Sequence, residues 1–412
     1  MLKLLSFLPP LDLIESILIK NPMELSITKD FYGIIENIHR NIVPPANVLN
    51  DTFVIVAAIK DHLWEVINTG HFSTVNKLDR QLYGLMSLQK AILLIIKCEL
   101  GIITADETYE KCMWELDNGL LLGCPLDHPK YCNVLSDCLM QLQNSRETNE
   151  DNFEMNTIIL NDTRPASQKC DIDIKIQPAI HEFKQNYFDQ SKPVILTECM
   201  RQWPALSKWI QPAYLLTICR NRTVPIEIGK NYINENWSQD LIKFEEFFRR
   251  QFTDQNNVNE SSKKIEYLAQ HNLFDQIPAL HNDIITPEYC CISNHDDEID
   301  IDIKAWLGPE GTISPMHIDE KHNLLCQVFG SKRIILAAPK DSINLYPFDC
   351  DMLKNTSQID AENVDYERFP LSKNVEFFTF TLHKGEMLYI PPKWWHFVRS
   401  LSKSFSVSFW WE

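Results

Sequence analysis

The chain has 412 residues, of which 44% are hydrophobic and 23% charged, and its formal net charge is −17. A composition of this kind is typical of a globular protein with more than one domain. The acidic excess argues against a nucleic-acid-binding surface, which needs basic groups, and suits a basic protein or peptide partner. Twelve scattered cysteines without a Cys-x-x-Cys pair predict reduced thiols. No apolar run is long enough to predict a membrane span.

The N-terminal third, residues 1–143, has the periodicity of helices. Between Val75 and Leu100, leucine and isoleucine recur every three or four residues and form a wide apolar face. The form Thr104-x-x-Glu107 is that of a capping box and predicts a helix start, and Gly119 is the predicted end of that helix. We expect five to seven helices, the last ending near residue 143, in a bundle or a degenerate helix-pair array. Such a domain serves protein interaction or dimerisation.

Residues 144–170 are polar and lack periodicity, which predicts an interdomain linker. Short strands predominate from 171 to 412, and the core of this second domain is expected at about 300–412. We interpret 323–338 and 376–391 as β-hairpins with glycine-containing turns. Antiparallel strands with glycine and proline turns predict a jelly roll of the cupin type. The expected fold class is α+β, with an all-helical N-terminal domain before a double-stranded β-helix.

Three histidines are followed two residues later by aspartate: His281, His295 and His317. Only His317 has a strand setting, where residues i and i+2 share a face, so that it is predicted to lie beside Asp319. A structural or solvated role is favoured for the other two histidines. His396, in the sequence Pro-Pro-Lys-Trp-Trp-His, is the candidate for a third ligand. Two imidazoles and one carboxylate make the facial triad of non-haem iron(II) sites, with three positions left open.

Each of these residues also has a plainer interpretation. A single histidine is more often a core or surface group than a ligand, and Lys332 after a turn is as readily a surface lysine. The combination in a strand-rich frame favours a metal site. The open positions of iron(II) suit a chelating 2-oxo acid and O2. A dicarboxylate also needs a cation at its far end, and Lys332 is the candidate.

These residues resemble those of the JmjC-domain 2-oxoglutarate oxygenases. The resemblance is carried by Gly311–Asp319, Asn323, Lys332, Pro391–His396 and Ser404–Trp411, and it extends from about residue 171 to 412. Within the family, the segments Tyr267–Gln270, Leu273–Pro278 and Asn355–Gln358 are similar to those of an arginyl hydroxylase. The N-terminal helices match only in kind.

The resemblance implies a role for each matching position. The implied iron ligands are His317, Asp319 and His396, and these are also the implied catalytic residues. The implied 2-oxoglutarate-binding residues are Tyr267, Ser314, Asn323 and Lys332, with Gln270 and Trp410 beside them. The implied substrate-binding residues are Glu227, Trp237 and Trp306. A carboxylate at Glu227 suits a substrate guanidinium, because a bidentate pair with arginine is strong and directional. Without the family, Glu227 is equally a solvated strand residue, and the tryptophans are more often core residues.

The resemblance therefore implies a dioxygenase that uses Fe(II), 2-oxoglutarate and O2 to hydroxylate arginine side chains of basic proteins, in the nucleus and also in the cytoplasm. Three alternatives stay open: demethylation of histone methyl-lysine by the same oxidative chemistry, metal-dependent peptide hydrolysis, and a non-catalytic chromatin-binding module. The aspartate ligand and the lack of zinc-binding cysteine clusters favour hydroxylation over demethylation.

Overall fold

The computed structural model describes residues 8–19, 21–40, 42–69, 74–124, 171–229, 231–233, 236–252, 264–293, 299–351 and 353–412. These residues divide into two compact units. The first contains the described residues up to 124 together with 221–223, and the second contains the others. The expected linker 144–170 and the helix expected to end near residue 143 lie outside the described residues.

The described residues of the first unit up to 124 form helices joined by short connections. Its helices are α1 (Leu11–Leu18), α2 (Pro22–His39), α3 (Ala46–Asn68), α4 (Lys77–Glu99) and α5 (Ala105–Leu122). Helix α4 is the centre of the bundle, since every residue from Gln81 to Ile96 except Lys90 is buried. The carboxylate of Glu115 lies 2.8 Å from Lys90 Nζ and 2.6 Å from Lys60 Nζ, so that an ion network joins α3, α4 and α5. None of the described helices has the length and apolar character that crossing a membrane requires.

The predicted start of α5 is confirmed and its predicted end is wrong. Thr104 is the N-cap, and its hydroxyl accepts a hydrogen bond from Glu107 N at 3.4 Å. The helix continues through Gly119 to Leu122. Leu120 and Leu122 pack against the helical core, and this apolar burial outweighs the cost of a helical glycine, about 1 kcal/mol.

The second unit contains two β-sheets and several short helices. The described strands are β1 (Asp173–Ile176), β2 (Val194–Thr197), β3 (Thr223–Ile228), β4 (Ser238–Lys243), β5 (Glu266–His271), β6 (Asp302–Gly308), β7 (Ile313–His317), β8 (His322–Phe329), β9 (Lys332–Ala337), β10 (Phe378–Leu382), β11 (Met387–Ile390), β12 (Trp395–Ser400) and β13 (Ser404–Trp411). The helices are α6 (Ile180–Phe183), α7 (Ala205–Lys208), α8 (Pro212–Cys219), α9 (Phe244–Phe252), α10 (Leu273–Gln276) and α11 (Pro278–His281), and α6 continues as a π-helical turn over Lys184–Phe188. Short 3-10 helices lie at Glu288–Cys291, Pro339–Leu345 and Pro370–Asn374.

The two sheets pack face to face as a jelly roll. The larger sheet has nine strands in the order β1-β2-β11-β8-β13-β6-β5-β3-β4, and the smaller has four in the order β10-β9-β12-β7. Between them lies an apolar cluster that includes Leu325 and Leu388 from the larger sheet and Ile334, Leu336 and Val398 from the smaller one. With the helices before it, this architecture confirms the predicted α+β fold class.

The predicted hairpins 323–338 and 376–391 are wrong. β8 belongs to the larger sheet, whereas β9 pairs with β10 and β12 in the smaller one. β10 and β11 likewise lie in different sheets. In a jelly roll the consecutive strands cross from one sheet to the other, so a short glycine turn joins strands that face each other without pairing. At the first of these crossings Gly330 has a φ of +75° and contacts the backbone of residues 403 and 404.

Replacing Gly330 by alanine is expected to lower the free energy of unfolding by about 3 kcal/mol or more. A Cβ there would lie 2.2 Å from Lys403 O, in addition to the cost of the left-handed φ. Gly385 at the other crossing has a φ of +82° with nothing near its added Cβ, so Gly385→Ala should cost only about 1–2 kcal/mol. Denaturant unfolding of the full chain measures both values, and equal losses would contradict the close approach at Gly330.

Candidate active site

Three side chains with metal-binding atoms meet beside the smaller sheet. β7 and β12 are antiparallel neighbours with His317 opposite His396, and the two ring centroids are 4.1 Å apart. His396 Nε2 lies 3.5 Å from Asp319 Oδ2. One donor atom from each of the three residues lies within 4.8 Å of the others. The fold therefore brings together the three residues that the sequence singled out.

Asp319 is not on the strand that carries His317. β7 ends at His317, and the aspartate lies in the irregular segment that follows. Its partner strand explains the ending: His396 opposes His317, and β12 begins only one residue earlier. Beyond His317 the chain is held instead by Asn355, whose carbonyl accepts a hydrogen bond from Ile318 N at 2.9 Å. The prediction of one shared strand face is therefore wrong, although the proximity of the two side chains is correct.

Backbone carbonyls orient both imidazole rings. His317 Nδ1 lies 2.7 Å from Pro315 O, and His396 Nδ1 lies 3.0 Å from Trp394 O. A carbonyl only accepts, so in the neutral form of each ring Nδ1 carries the proton and Nε2 has the free lone pair. Burial, together with the neighbouring His317, lowers the pKa of His396 to about 4, which keeps its ring neutral. Neutral imidazole is the form that binds metals.

The carboxylate completes a donor set that fits a divalent metal. Asp319 Oδ2 is buried and has no hydrogen-bond partner among the described residues. A buried carboxylate oxygen without a partner is costly unless a ligand or ion compensates for it. Two neutral imidazoles and one carboxylate on one side of an ion are the ligand set of non-haem iron(II) sites. We conclude that the site fits such an ion.

A pocket adjoins these residues. It is lined by Tyr267, Trp306, Ser314, His317, Asp319, Asn323, Leu325, Lys332, Ile390, His396, Val398, Ser408 and Trp410. Four of these were not expected: Leu325, Ile390, Val398 and Ser408. Leu325, Val398 and Ser408 each lie two residues from an expected site residue on the same strand. Side chains two residues apart on a strand share a face, so this alternation predicts that all three face the site.

Lys332 is a buried cation in this pocket, with only 1% of its surface exposed. Its Nζ lies 3.4 Å from the hydroxyl of Tyr267 and 5.8 Å from the centroid of that ring. No carboxylate of a described residue pairs with it. Burial lowers its pKa to about 7. The interpretation as a surface lysine is therefore wrong, and the side chain is suited to an anionic ligand that supplies the missing charge.

Further polar groups of the pocket also lack partners among the described residues. Asn323 Oδ1 and Trp410 Nε1 are buried without a hydrogen bond. In contrast, Trp306 Nε1 donates to Ser408 Oγ at 2.9 Å. The pocket therefore offers a cation, an amide and an indole N–H to one ligand. The cation and the indole N–H suit a small polar acid such as a 2-oxo dicarboxylate.

Of the three residues implied for substrate, Trp306 lines the pocket, whereas Glu227 and Trp237 do not. Glu227 on β3 opposes Tyr267 on β5, and residues directly opposite in an antiparallel pair share one face of the sheet. Trp237 Nε1 donates to Glu227 Oε2 at 3.3 Å. Burial raises the pKa of Glu227 despite this hydrogen bond. Gln270 is exposed, with a φ of 50° where β5 and β6 lose register, and it does not line the pocket.

Tyr232 is a further residue at this side of the site, and the sequence offered no signal for it because it lies in an irregular segment. Its hydroxyl is 3.3 Å from Thr356 Oγ1, and the backbone of Thr356 bridges His317. Burial raises the pKa of Tyr232, and the charges of Asp319 and Glu227 raise it further. Tyr232 is therefore close enough to Asp319 and Glu227 for their negative charges to raise its pKa.

Residues 180–412 match the family model of the cupin-like domain. With the jelly roll and the His-Asp-His group, this match defines the class: the chain belongs to the cupin-like JmjC family of 2-oxoglutarate oxygenases. Jumonji C domain-containing protein 5 of Drosophila melanogaster is 46% identical over 88% of this chain and 87% of its own length. Lysine-specific demethylase 8 of Danio rerio is 36% identical over 86% of each chain. Lysine-specific demethylase JMJ30 of Arabidopsis thaliana is 35% identical over 86% of this chain and 85% of its own. The family implies dependence on Fe(II) and 2-oxoglutarate.

Replacing His396 by alanine should weaken the binding of Mn(II), a redox-stable substitute for Fe(II), by at least about 100-fold, because one of three protein ligands is lost. His281→Ala is the matched control, because His281 is exposed and is also followed by aspartate after one residue. That aspartate, Asp283, is already engaged by Lys208 and Trp209. Calorimetry measures both variants, and equal losses would contradict the assignment of the site.

Lys332→Met is expected to abolish 2-oxoglutarate binding and yet to stabilise the ligand-free protein by about 1–3 kcal/mol. The folded-state pKa of Lys332, about 7, lies below its ordinary value of 10.5. The lysine therefore destabilises the fold fully below about pH 7, and this effect disappears as the pH rises towards 10.5. The gain from methionine should accordingly be larger at low pH than at high pH. Unfolding and calorimetric titrations over this pH range measure both effects.

The control for this pair of effects is Lys340→Met, which changes an exposed lysine and should alter neither binding nor stability appreciably.

In the unchanged protein, 2-oxoglutarate binding above about pH 7 should take up a proton, because the bound dicarboxylate requires the charged lysine. Calorimetry in buffers with different ionisation enthalpies detects this uptake. Binding without it at pH 8 would contradict the lowered pKa.

Proposed function

We propose that this protein is an Fe(II)- and 2-oxoglutarate-dependent dioxygenase that hydroxylates arginine side chains in basic proteins. The observation that carries the proposal is one pocket with a His-Asp-His donor set at one side and, in its wall, a buried lysine that pairs with no carboxylate of the described residues. The half-buried carboxylate of Glu227 lies beside that pocket, on a strand that pairs with the strand of Tyr267. These three features suit a metal, a dicarboxylate and a cationic side chain respectively.

In this proposal His317, Asp319 and His396 hold the iron. The bound iron(II) supplies O2 activation coupled to the oxidative decarboxylation of 2-oxoglutarate. Burial favours the neutral form of His396, and a backbone carbonyl orients each of the two rings through its Nδ1. The orientation of each ring is set before the ion binds, so less ordering is required on binding.

Lys332 would pair with the far carboxylate of 2-oxoglutarate, with the hydroxyl of Tyr267 close to the same group. Ser314, Asn323 and Trp410 would provide the remaining polar contacts along the pocket. The apolar side chains of the lining, Leu325, Ile390 and Val398, exclude water from the ligand. In such surroundings a single ion pair is worth more than it is in water.

Glu227 would bind the guanidinium of the substrate. Its carboxylate is poorly solvated, which is why its pKa is raised, and an arriving cation would restore the charged form. The hydrogen bond from Trp237 holds one carboxylate oxygen in place, and the indole and Trp306 offer flat faces near a planar cation. An arginine suits this arrangement better than a methylated ammonium, because it donates two parallel hydrogen bonds to one carboxylate.

Methyl-lysine demethylation is the second candidate, because two of the relatives are named lysine-specific demethylases. Mass spectrometry of arginine-bearing and methyl-lysine peptides, incubated with Fe(II), 2-oxoglutarate and ascorbate, separates the two. Hydroxylation gives a product one oxygen atom heavier with an equal amount of succinate. Demethylation gives a lighter product and formaldehyde, and peptide hydrolysis would proceed without O2. The absence of all these products would indicate a binding module.

The proposal includes action in the nucleus and cytoplasm and a protein-binding role for the helical unit.

Glu227→Gln should lower kcat/KM for an arginine peptide by about 100-fold, because the variant keeps the shape and loses the charge that pairs with the guanidinium. The affinity for 2-oxoglutarate should stay unchanged. Glu310→Gln, at an exposed position on a turn, is the matched control. Equal kcat/KM for an arginine peptide in the Glu227→Gln variant and in the unchanged protein would contradict the proposed role of this carboxylate.

A further inference from the structure

We propose that the turn Pro391–Trp394 positions two of the three metal-binding side chains, and that the backbone N–H of Lys393 is its essential group. Lys393 is then a positioning residue that acts through Asp319. The inference rests on the metal site of the proposed function and does not depend on the identity of the substrate.

Asp319 needs an external support because it lies beyond the end of β7. Both backbone polar groups of the preceding residue, Ile318, bond to Asn355. Asn355 O accepts a hydrogen bond from Ile318 N at 2.9 Å, and Asn355 Nδ2 donates one to Ile318 O at 3.3 Å. Asp319 itself is held through its carbonyl oxygen, which accepts a hydrogen bond from Lys393 N at 2.8 Å. The direction of the aspartate side chain therefore depends on the position of this turn.

The same turn also orients His396. The carbonyl of Trp394 accepts from His396 Nδ1 at 3.0 Å, and the peptide N–H one residue earlier donates to Asp319. Two adjacent residues of one turn thus control a carboxylate and an imidazole whose reactive atoms, Asp319 Oδ2 and His396 Nε2, are 3.5 Å apart. A displacement of the turn would change both ligand directions together.

The turn itself is firmly held. Trp394 N donates to Pro391 O at 3.3 Å, which closes a four-residue β-turn, and the indole of Trp394 donates to Ser191 O at 2.8 Å. Pro392 restricts φ at the second position. At the third position Lys393 has a φ of 65°, which costs a non-glycine residue about 1–2 kcal/mol. This conformation aims the Lys393 N–H at Asp319.

The ammonium group of Lys393 does not explain the arrangement. Its Nζ lies 3.7 Å from Glu320 Oε2, and both side chains are mostly exposed. Exposed ion pairs of this kind contribute little. The backbone hydrogen bond is the feature that links this residue to the metal-binding group, so a test must remove the N–H and leave the side chain unchanged.

The experiment replaces the amide nitrogen of residue 393 by an ester oxygen, using the α-hydroxy analogue of lysine introduced by nonsense suppression in the full chain. The affinity for Mn(II) should fall at least about tenfold, as it does when an outer support of a metal ligand is lost. The visible spectrum of bound Co(II) should also change, because the ligand directions change. The same replacement at Lys208, whose N–H donates to Pro204 O at 3.0 Å in another part of this unit, is the matched control.

Lys393→Gly provides a second comparison, because it keeps the N–H, accepts the left-handed φ and removes the ammonium group. Its Mn(II) affinity should stay within about threefold of that of the unchanged protein, because the exposed ammonium group of Lys393 contributes little. The proposal is overturned if the ester at 393 binds Mn(II) as the unchanged protein does, or if both esters weaken binding equally. Failure of the unchanged protein to bind Mn(II) would instead overturn the metal site of the proposed function.

Discussion

The pairing of β12 with both of its neighbours is the constraint on which the site depends. On one side His396 lies opposite His317 of β7, and on the other side Ser400 lies opposite Lys332 of β9. One register therefore places the two imidazoles side by side and carries the lysine into the same pocket. A shift by one residue would turn every side chain of β12 to the opposite face of the sheet and remove His396 from the group.

Burial then gives these side chains their chemical character. The same desolvation lowers the pKa of His396 and Lys332 and raises that of Glu227. Each shift favours the neutral form until a ligand of opposite charge or a metal arrives. The site is thus prepared for charged ligands at a cost in stability, which is a common feature of catalytic pockets. Apolar side chains from both sheets maintain this low-dielectric environment.

Much of the fold and of the candidate site could be predicted from residue patterns, and the errors have a common cause. The fold class is confirmed, and residue spacing and context led to His317, Asp319, His396 and Lys332, which the structure brings to one pocket. The hairpins are wrong, because a glycine turn looks the same whether its strands pair or cross between sheets. The two-residue spacing predicts a shared strand for His317 and Asp319, but it contains no information on where the partner strand begins.

The sequence by itself determined the elements that depend on local periodicity: the helices before residue 124, the strands after 300, and the residue types that suit iron(II) and a dicarboxylate. Only the tertiary structure decided which strands pair, that Lys332 is buried, and that the turn at Lys393 supports Asp319. The physical reason is that secondary structure follows from neighbours in the chain. Burial and the direction of a loop side chain, in contrast, depend on contacts between residues that are far apart in sequence.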